Sequence, residues 1–307
     1  MKFRFYILLA FLGLFPIVLC GQTKADSIAI VSASWETSIS EEGIVHKRAS
    51  FASLYKGNQS INLVEIPSKV KVHYGISASD RMKQTSHIAE ENKASAAING
   101  SFYNMQQGNS VCYFRTGKEV IDTTSVDEFR MRVTGAVYTH KRKVRILPWS
   151  PAIERNYHQR KGTILASGPL LMQKGVSCAW EECDSSFIYT KHPRSAIFLT
   201  KDKRTILITV DGRSPGHADG VSIPELAHLI RILGGYDALN LDGGGSTTLW
   251  MKEYGVLNYP SDNRKFDHEG ERKVSNIIYI TKDYQKKICI KTINSTWPTR
   301  QKGRFTL

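Results

Sequence analysis

RSAIFLTKDKRTILITVDGRSPGHADGVSIPELAHLIRILGGYDALNLDGGGSTTLW, residues Arg194–Trp250, holds two apolar runs that each end in an aspartate. Ser195–Thr200 and Thr205–Val210 flank Lys201-Asp202-Lys203-Arg204 and predict a hairpin whose second strand ends at Asp211. Ser222 reads as an N-cap, with Pro224 in the first turn and Glu225 completing a capping box. Leu226, Leu229, Ile230 and Leu233 recur at helical spacing, and Gly234-Gly235 stop the helix. Ala238–Leu241 is a short strand that ends on Asp242 and opens into Gly243-Gly244-Gly245, and Thr247–Lys252 leaves as another strand. Hairpins around one helix predict an α+β (mixed α/β) domain, with a mostly antiparallel or mixed central sheet flanked by a few helices.

Outward from this stretch the text is strand-rich. Ser27–Trp35, Ile44–Tyr55, Ser60–Pro67 and Lys69–Ser77 are short Ile/Val/Tyr runs broken by turn residues. Met82, Ser86, Ile88 and Ala89 predict a helix over Ser79–Asn92 that leads into a small-residue strand at Ala94–Asn104. Val111–Val120 reads as a hairpin around Thr116-Gly117-Lys118, and Arg130–Thr139 pairs with Lys143–Leu147. Ile164–Gly175 is an apolar strand interrupted by Ser167-Gly168-Pro169, the mark of a bulge or a ligand-facing bend. Arg272–Thr281 is a clear strand, and Lys287–Ile293 is a candidate edge strand. The division is a leader at 1–20, a strand-rich part at 26–93, a core at 94–283 and a basic tail at 284–307.

The chain has 307 residues, 41% hydrophobic and 10% aromatic, which is the composition of a globular protein. A net charge of +14 points to a basic surface or to an anionic partner. There is no RNP, zinc-finger or helix-turn-helix signature, so no nucleic-acid partner is expected. Lys2 and Arg4 before an apolar run from Phe5 to Cys20 have the layout of an export signal. The expected location is therefore the periplasm or cell surface, with a lipid anchor at Cys20 as the alternative to a free protein. In that compartment Cys178 and Cys183 are the easiest pair to bridge, leaving Cys112 and Cys289.

Asp242 leads the candidates for chemistry. A strand-end carboxylate before three glycines lets backbone amides approach a ligand, so Gly243, Gly244 and Gly245 are expected to hold an anion or sugar oxygen. Asp211, followed by Gly212 and Arg213, repeats the pattern. Two strand-end carboxylates are what glycoside cleavage needs, one as acid and one as base or nucleophile. Arg194 and Arg213 are candidate clamps for phosphate or carboxylate. Asn99 and Ser101 lie in a polar turn after a buried-looking strand, and His217 lies in a loop that could close over a substrate. Ser246 lacks the second glycine of a nucleophile elbow and is read as a phosphate or backbone ligand. Glu225 is read as a helix cap.

Taken together these blocks resemble the phosphodiester glycosidase family. They are Asn99-Gly100-Ser101-Phe102-Tyr103, Ser167-Gly168-Pro169-Leu170, Arg194-Ser195-Ala196, Val210–Arg213, Glu225–Ala227, Leu241–Ser246 and Val274–Asn276. The resemblance implies hydrolysis of the bond between a sugar's anomeric carbon and a phosphodiester oxygen. It adds Ser167, Gly168 and Asn276 to the site, with Arg194 and the glycine loop on the phosphate and Asp211 or Asp242 acting on water. Ser101, Tyr103 and Ser195 depart from its usual Gly, Phe and Thr. A divalent cation on Asp211, Asp242 and Asn276 is a further option, and no organic cofactor is implied. The expected partner is a sugar phosphodiester or anionic glycan. The rival readings are a P–O-cleaving phosphodiesterase and a non-catalytic module binding envelope glycan or teichoic acid.

Overall fold

Arg194–Thr200 and Thr205–Val210 pair as a hairpin, with Arg194 opposite Val210. Ile197 and Leu207 enter one core, while Ala196, Phe198, Ile206 and Ile208 enter another. Both faces of this hairpin are covered, and that is why it reads as continuous apolar text rather than as an alternation. The computed structural model describes residues 23–283, and in it every strand pair is antiparallel. The fold is α+β.

Three sheets build it. The central sheet has eight strands in the spatial order Glu36–Ile39, Val45–Phe51, Gln59–Ile66, Thr205–Val210, Arg194–Thr200, Gly235–Asn240, Leu170–Gln173, Val176–Ser177. A second, of five strands, is formed by residues 114–148 and Thr163–Ser167. The third, also of five, centres on Ala96–Asn99 between Leu249–Met251 and Lys273–Lys282. One face of each sheet meets in a shared core that includes Val64, Ile98, Val137, Leu165, Leu207, Leu239 and Ile278. The other face of the central sheet is covered by helices Lys24–Val31, Ser185–Tyr189 and Ile223–Ile232. Leu226, Leu229 and Ile230 are wholly buried there, so truncating any of them to alanine costs about 2–5 kcal/mol. Ser222 and Glu225 form the expected capping box.

Several expectations are corrected. Ser27–Trp35 is not a strand: Thr23 and Asp26 make a capping box that starts helix Lys24–Val31, whose Ile30 packs into the helical layer. The helix expected over Ser79–Asn92 is confined to Thr85–Glu91, because residues up to Gln84 stay paired with Lys273–Lys282 beyond a bulge. Arg130–Thr139 splits into the end of helix Val126–Met131 and strand Gly135–His140, since Ser125 caps a helix there. The apolar run at Ile164–Gly175 is two strands, Thr163–Ser167 in the second sheet and Leu170–Gln173 in the first. Ser167-Gly168-Pro169 is the crossing between them.

The expected Cys178–Cys183 bridge is not formed, and among the described residues Cys112, Cys178 and Cys183 are free thiols. Cys178 packs against the shared core and Cys183 against the helical layer, with the Trp180 indole N–H pinned to the Leu170 carbonyl between them. The leader, the Cys20 anchor, Cys289 and the Lys287–Ile293 strand lie outside the described residues. Among the described residues no helix is long and apolar enough to cross a membrane.

Candidate active site

The ends of the three sheets meet around Asp242. Strand Gly235–Asn240 delivers it, and its amide donates to the Gly100 carbonyl over 2.9 Å. Its carbonyl accepts from Asn99 Nδ2 over 2.7 Å. Asn99 is fully buried, and its Oδ1 accepts from Ser195 Oγ at 2.6 Å and from the Thr248 amide at 3.1 Å. One carboxamide thus ties the central and third sheets together on both sides of Asp242.

The other polar groups of the frame are also turned onto protein atoms. Asn276 Oδ1 accepts from the Ser101 amide over 2.7 Å, and Ser101 Oγ donates to the Ala166 carbonyl over 2.6 Å. Ser167 Oγ donates to the Asn240 carbonyl over 3.0 Å, and the Gly168 carbonyl accepts from Asn240 Nδ2 over 2.6 Å. A Cβ on Gly168 would collide with the Arg132 carbonyl, so glycine lets the chain at Arg132 lie against the crossing. Asn99, Ser101, Ser167, Gly168 and Asn276 are brought together, but as a buried scaffold rather than as a ligand-facing wall.

The half-buried carboxyl of Asp242 accepts from the Gly243 amide over 3.0 Å. Burial pushes it above the ordinary carboxylate range, against the opposing pull of Ser246, Arg132, Arg272 and the Gly243 amide. A carboxyl so placed holds or takes a proton nearer neutrality than a surface aspartate would, which suits proton transfer. Tyr103 Oη lies 3.5 Å from Ser246 Oγ and donates to the Lys273 carbonyl over 2.8 Å.

Three guanidinium groups, of Arg132, Arg194 and Arg272, act on the charge of this carboxyl, and that of Arg213 lies over Gly244 two residues on. Arg132 is held by a two-pronged pair with Glu128, both contacts 2.8 Å, and lies 3.6 Å from the centre of the Phe102 ring. Arg272 is fixed by Asp262 through Nε at 2.8 Å and Nη2 at 2.5 Å. Arg213 Nη2 donates to His192 Nδ1 over 3.3 Å. Arg194 is buried with no carboxylate partner: Nε donates to the Val221 carbonyl at 3.2 Å, and Nη2 to Phe187 and Thr190 carbonyls at 2.8 and 3.0 Å. Burial, helped by Arg132 and Arg213, pulls its pKa down to about 9. Such a cluster lowers the free energy of an anion between its members.

Two of the three glycines serve this cluster by being small. The Gly243 amide is taken by Asp242 and the Gly244 amide donates to the Pro193 carbonyl over 2.8 Å, so neither is directed at a ligand. Instead Arg213 occupies the space over Gly244, where a Cβ would come within 2.9 Å of Nη2. Arg272 occupies the space over Gly245, where a Cβ would come within 2.5 Å of Nη2.

Asp211 stands apart. It is 1% exposed, and both carboxylate oxygens are occupied: Oδ1 by Asn258 Nδ2 at 3.0 Å and the Tyr259 amide at 2.9 Å, Oδ2 by Ser60 Oγ at 2.7 Å. It roots the loop that begins at Asn258 and carries Asp262, the partner of Arg272. His217, exposed on a neighbouring turn, heads a ladder of rings with Phe266, Tyr259 and His268, at successive centroid distances of 4.6, 3.9 and 4.4 Å. The donors named for a divalent cation do not converge, because Asp211 is saturated and Asn276 Oδ1 is held by Ser101. Among the described residues no group of three or more His, Cys, Asp and Glu is placed to hold a metal.

Arg132, Arg272, His192 and Tyr103 were not picked out from sequence. Tyr103 closes the recognised block that begins at Asn99, and Arg272 sits two residues before the one at Val274. Arg132 has no such marker and reaches the site only because the Gly168 crossing lets it.

Within this antiparallel α+β fold, Asp242 is the carboxyl that burial raises and that several guanidinium groups adjoin. The model of the phosphodiester glycosidase family matches residues 92–281, and the chain belongs to that family. The zebrafish N-acetylglucosamine-1-phosphodiester alpha-N-acetylglucosaminidase catalytic domain, auto-inhibited by its pro-peptide, superposes with a TM-score of 0.58 at 16% identity over 81% of this chain and 82% of that one. A hypothetical protein from Synechocystis gives a TM-score of 0.58 at 16% identity, over 80% and 63% of the two chains. No curated protein sequence matches the chain.

Proposed function

We propose that the protein is an exported hydrolase that cleaves the bond between a sugar's anomeric carbon and a phosphodiester oxygen in a glycan or glycoconjugate. The observation that carries this is the raised Asp242 carboxyl, with Arg132, Arg194 and Arg272 near enough to act on its charge and Arg213 over Gly244, two residues on. Arg132, Arg213 and Arg272 hold the phosphodiester, whose oxygen leaves as a stabilised anion and needs little protonation. Asp242 takes a proton from water as the water oxygen bonds to the anomeric carbon. The carbon–oxygen bond breaks with its electron pair going to the phosphate, giving a free sugar and a phosphomonoester. Arg194 and Asp211 act at one remove, the first by fixing the 187–190 and Val221 carbonyls, the second by rooting the loop that carries Asp262.

The deciding experiment is turnover of a sugar 1-phosphodiester in oxygen-18 water. Label in the released sugar supports C–O cleavage. Label in the phosphate would overturn it in favour of P–O cleavage, and binding without turnover would leave a glycan-binding module.

A further inference from the structure

The opposite end of the central sheet carries a second charged feature. Asp242 and Arg194 lie at one end of strands Gly235–Asn240 and Arg194–Thr200. At the other end, roughly 20 Å away at 3.3 Å per residue, the Thr200–Thr205 turn, the Pro67–Tyr74 segment and Arg142–Arg145 enclose a cavity of about 750 Å³. Lys69, Lys71, Lys143, Arg145, Lys201 and Lys203 line it, together with Arg142. Its floor is Val72, Tyr74, Val144 and Leu199.

Of the acids around this groove, only Asp237 keeps its charge without a cationic partner among the described residues. Asp237, which also lines it, accepts from the Lys174 amide over 2.9 Å. Asp202 pairs with Arg204, and Glu65 pairs with Lys47 and Arg204. Asp283 pairs with Arg142 and with His73. The other six lysines and arginines have no carboxylate partner among the described residues. Like charges gathered around one concavity repel each other in the folded state, and a bound polyanion relieves that repulsion. The chain's own continuation does not supply the counter-charge, because residues 284–307 hold six Lys and Arg and no Asp or Glu.

We infer that this groove binds a polyanionic chain of phosphodiester-linked units. Its cations come from three separate segments around one concavity, which suits a linear polymer seated in it rather than a flat lipid surface. Resting on the proposed function, the polymer is the remote part of the substrate, held here while a glycosyl phosphodiester occupies the Asp242 end.

The test compares the full chain with Lys69→Gln/Lys71→Gln/Lys201→Gln/Lys203→Gln, four exposed positions outside the Asp242 site. The probe is an end-labelled poly(glycerol phosphate), with phosphatidylglycerol vesicles as a second arm. The wild type is expected to bind the polymer, and the fourfold variant to bind it at least tenfold more weakly. The slope of log affinity against log salt should fall by about 3, at about 0.7 for each phosphate no longer neutralised. Asp242→Asn should bind the polymer like the wild type. Turnover of a small sugar 1-phosphodiester by the fourfold variant should be unchanged, while KM for a polymeric one rises. Equal polymer binding by wild type and fourfold variant would overturn the inference. So would vesicle binding that exceeds polymer binding and disappears in that variant. Polymer binding that depends on the four lysines, with no glycosyl turnover by the wild type, would sink the proposed reaction and leave the groove standing.

Discussion

Asn99 meets Asp242 at its backbone, not at its carboxyl: the Asn99 carboxamide donates to the Asp242 carbonyl over 2.7 Å. The carboxyl of Asp242 is thereby left to the arginine cluster, while its main chain is locked between two sheets. Asn99→Ala removes three hydrogen bonds at once and orphans the Ser195 hydroxyl, the Thr248 amide and the Asp242 carbonyl. The expected cost is about 3 kcal/mol or more, at 1–3 kcal/mol for each buried group left unpaired. Urea unfolding measures it, and a loss under about 1 kcal/mol would show that the tie is weak.

Asp242→Asn is expected to inactivate and to stabilise. Loss of a positioned proton-transfer group lowers kcat by roughly 10²- to 10⁴-fold. The stability effect follows from the raised carboxyl. The native state holds its proton to higher pH than the unfolded chain, whose carboxyl titrates near 3.8. Native stability therefore falls as pH rises from the unfolded value to the native one, then stays level. The asparagine variant escapes that loss. Melting curves should coincide in strong acid, with the variant melting higher at neutral pH. A variant that melts lower at pH 7 would show that the arginines outweigh burial. The acid limb of the wild-type kcat/KM profile should likewise sit above 3.8.

Asp211 separates the scaffold from the chemistry. Asp211→Asn can keep Oδ1 on Asn258 and Tyr259 and turn its new NH₂ toward Ser60, whose hydroxyl can accept. It should fold, with kcat/KM reduced far less than by Asp242→Asn. Asp211→Ala leaves the Ser60 hydroxyl and the Tyr259 amide unpaired, takes one of two bonds from Asn258 Nδ2, and should destabilise by about 2 kcal/mol or more. Equal inactivation by the two asparagine variants, with folding intact, would return Asp211 to the reaction.

The fold class and the ring of polar blocks were legible in the sequence because they rest on local rules. Strand periodicity, the Ser222–Glu225 capping box and the glycine loop are all written within a few residues. What was not legible was direction. Asp211 and Asp242 have the same sequence signature, a carboxylate at a strand end before glycine. Only the placement of Ser60, Asn258 and Tyr259 saturates the first, and the arginine cluster surrounds only the second. Arg132 and Arg272 come from segments far from the glycine loop, and no spacing rule reports a contact made by a chain crossing. The Ser27–Trp35 misreading has a different cause: its isoleucines suit a strand, and the Thr23–Asp26 cap decided otherwise.

The glycine loop yields the last prediction. Gly244 has φ +61° and lies under Arg213, whereas Gly245 is not in the left-handed region and lies under Arg272. Gly244→Ala therefore carries backbone strain of about 1–2 kcal/mol and also displaces a guanidinium. Gly245→Ala meets first the flexible ends of Arg272 and Asp262, at 2.5 and 2.7 Å from its Cβ. Those ends can move aside, so its stability should change by less than about 1 kcal/mol, but Arg272 must leave its place beside Asp242. The expected result is near-wild-type melting with kcat/KM for a sugar phosphodiester down about tenfold or more, the value of one charge-assisted hydrogen bond of about 1.5–3 kcal/mol. Parallel melting and kinetics on the two alanine variants and on Arg272→Ala check it. Were Gly245→Ala as active as wild type while Arg272→Ala is crippled, the loop's smallness would not be what seats that arginine.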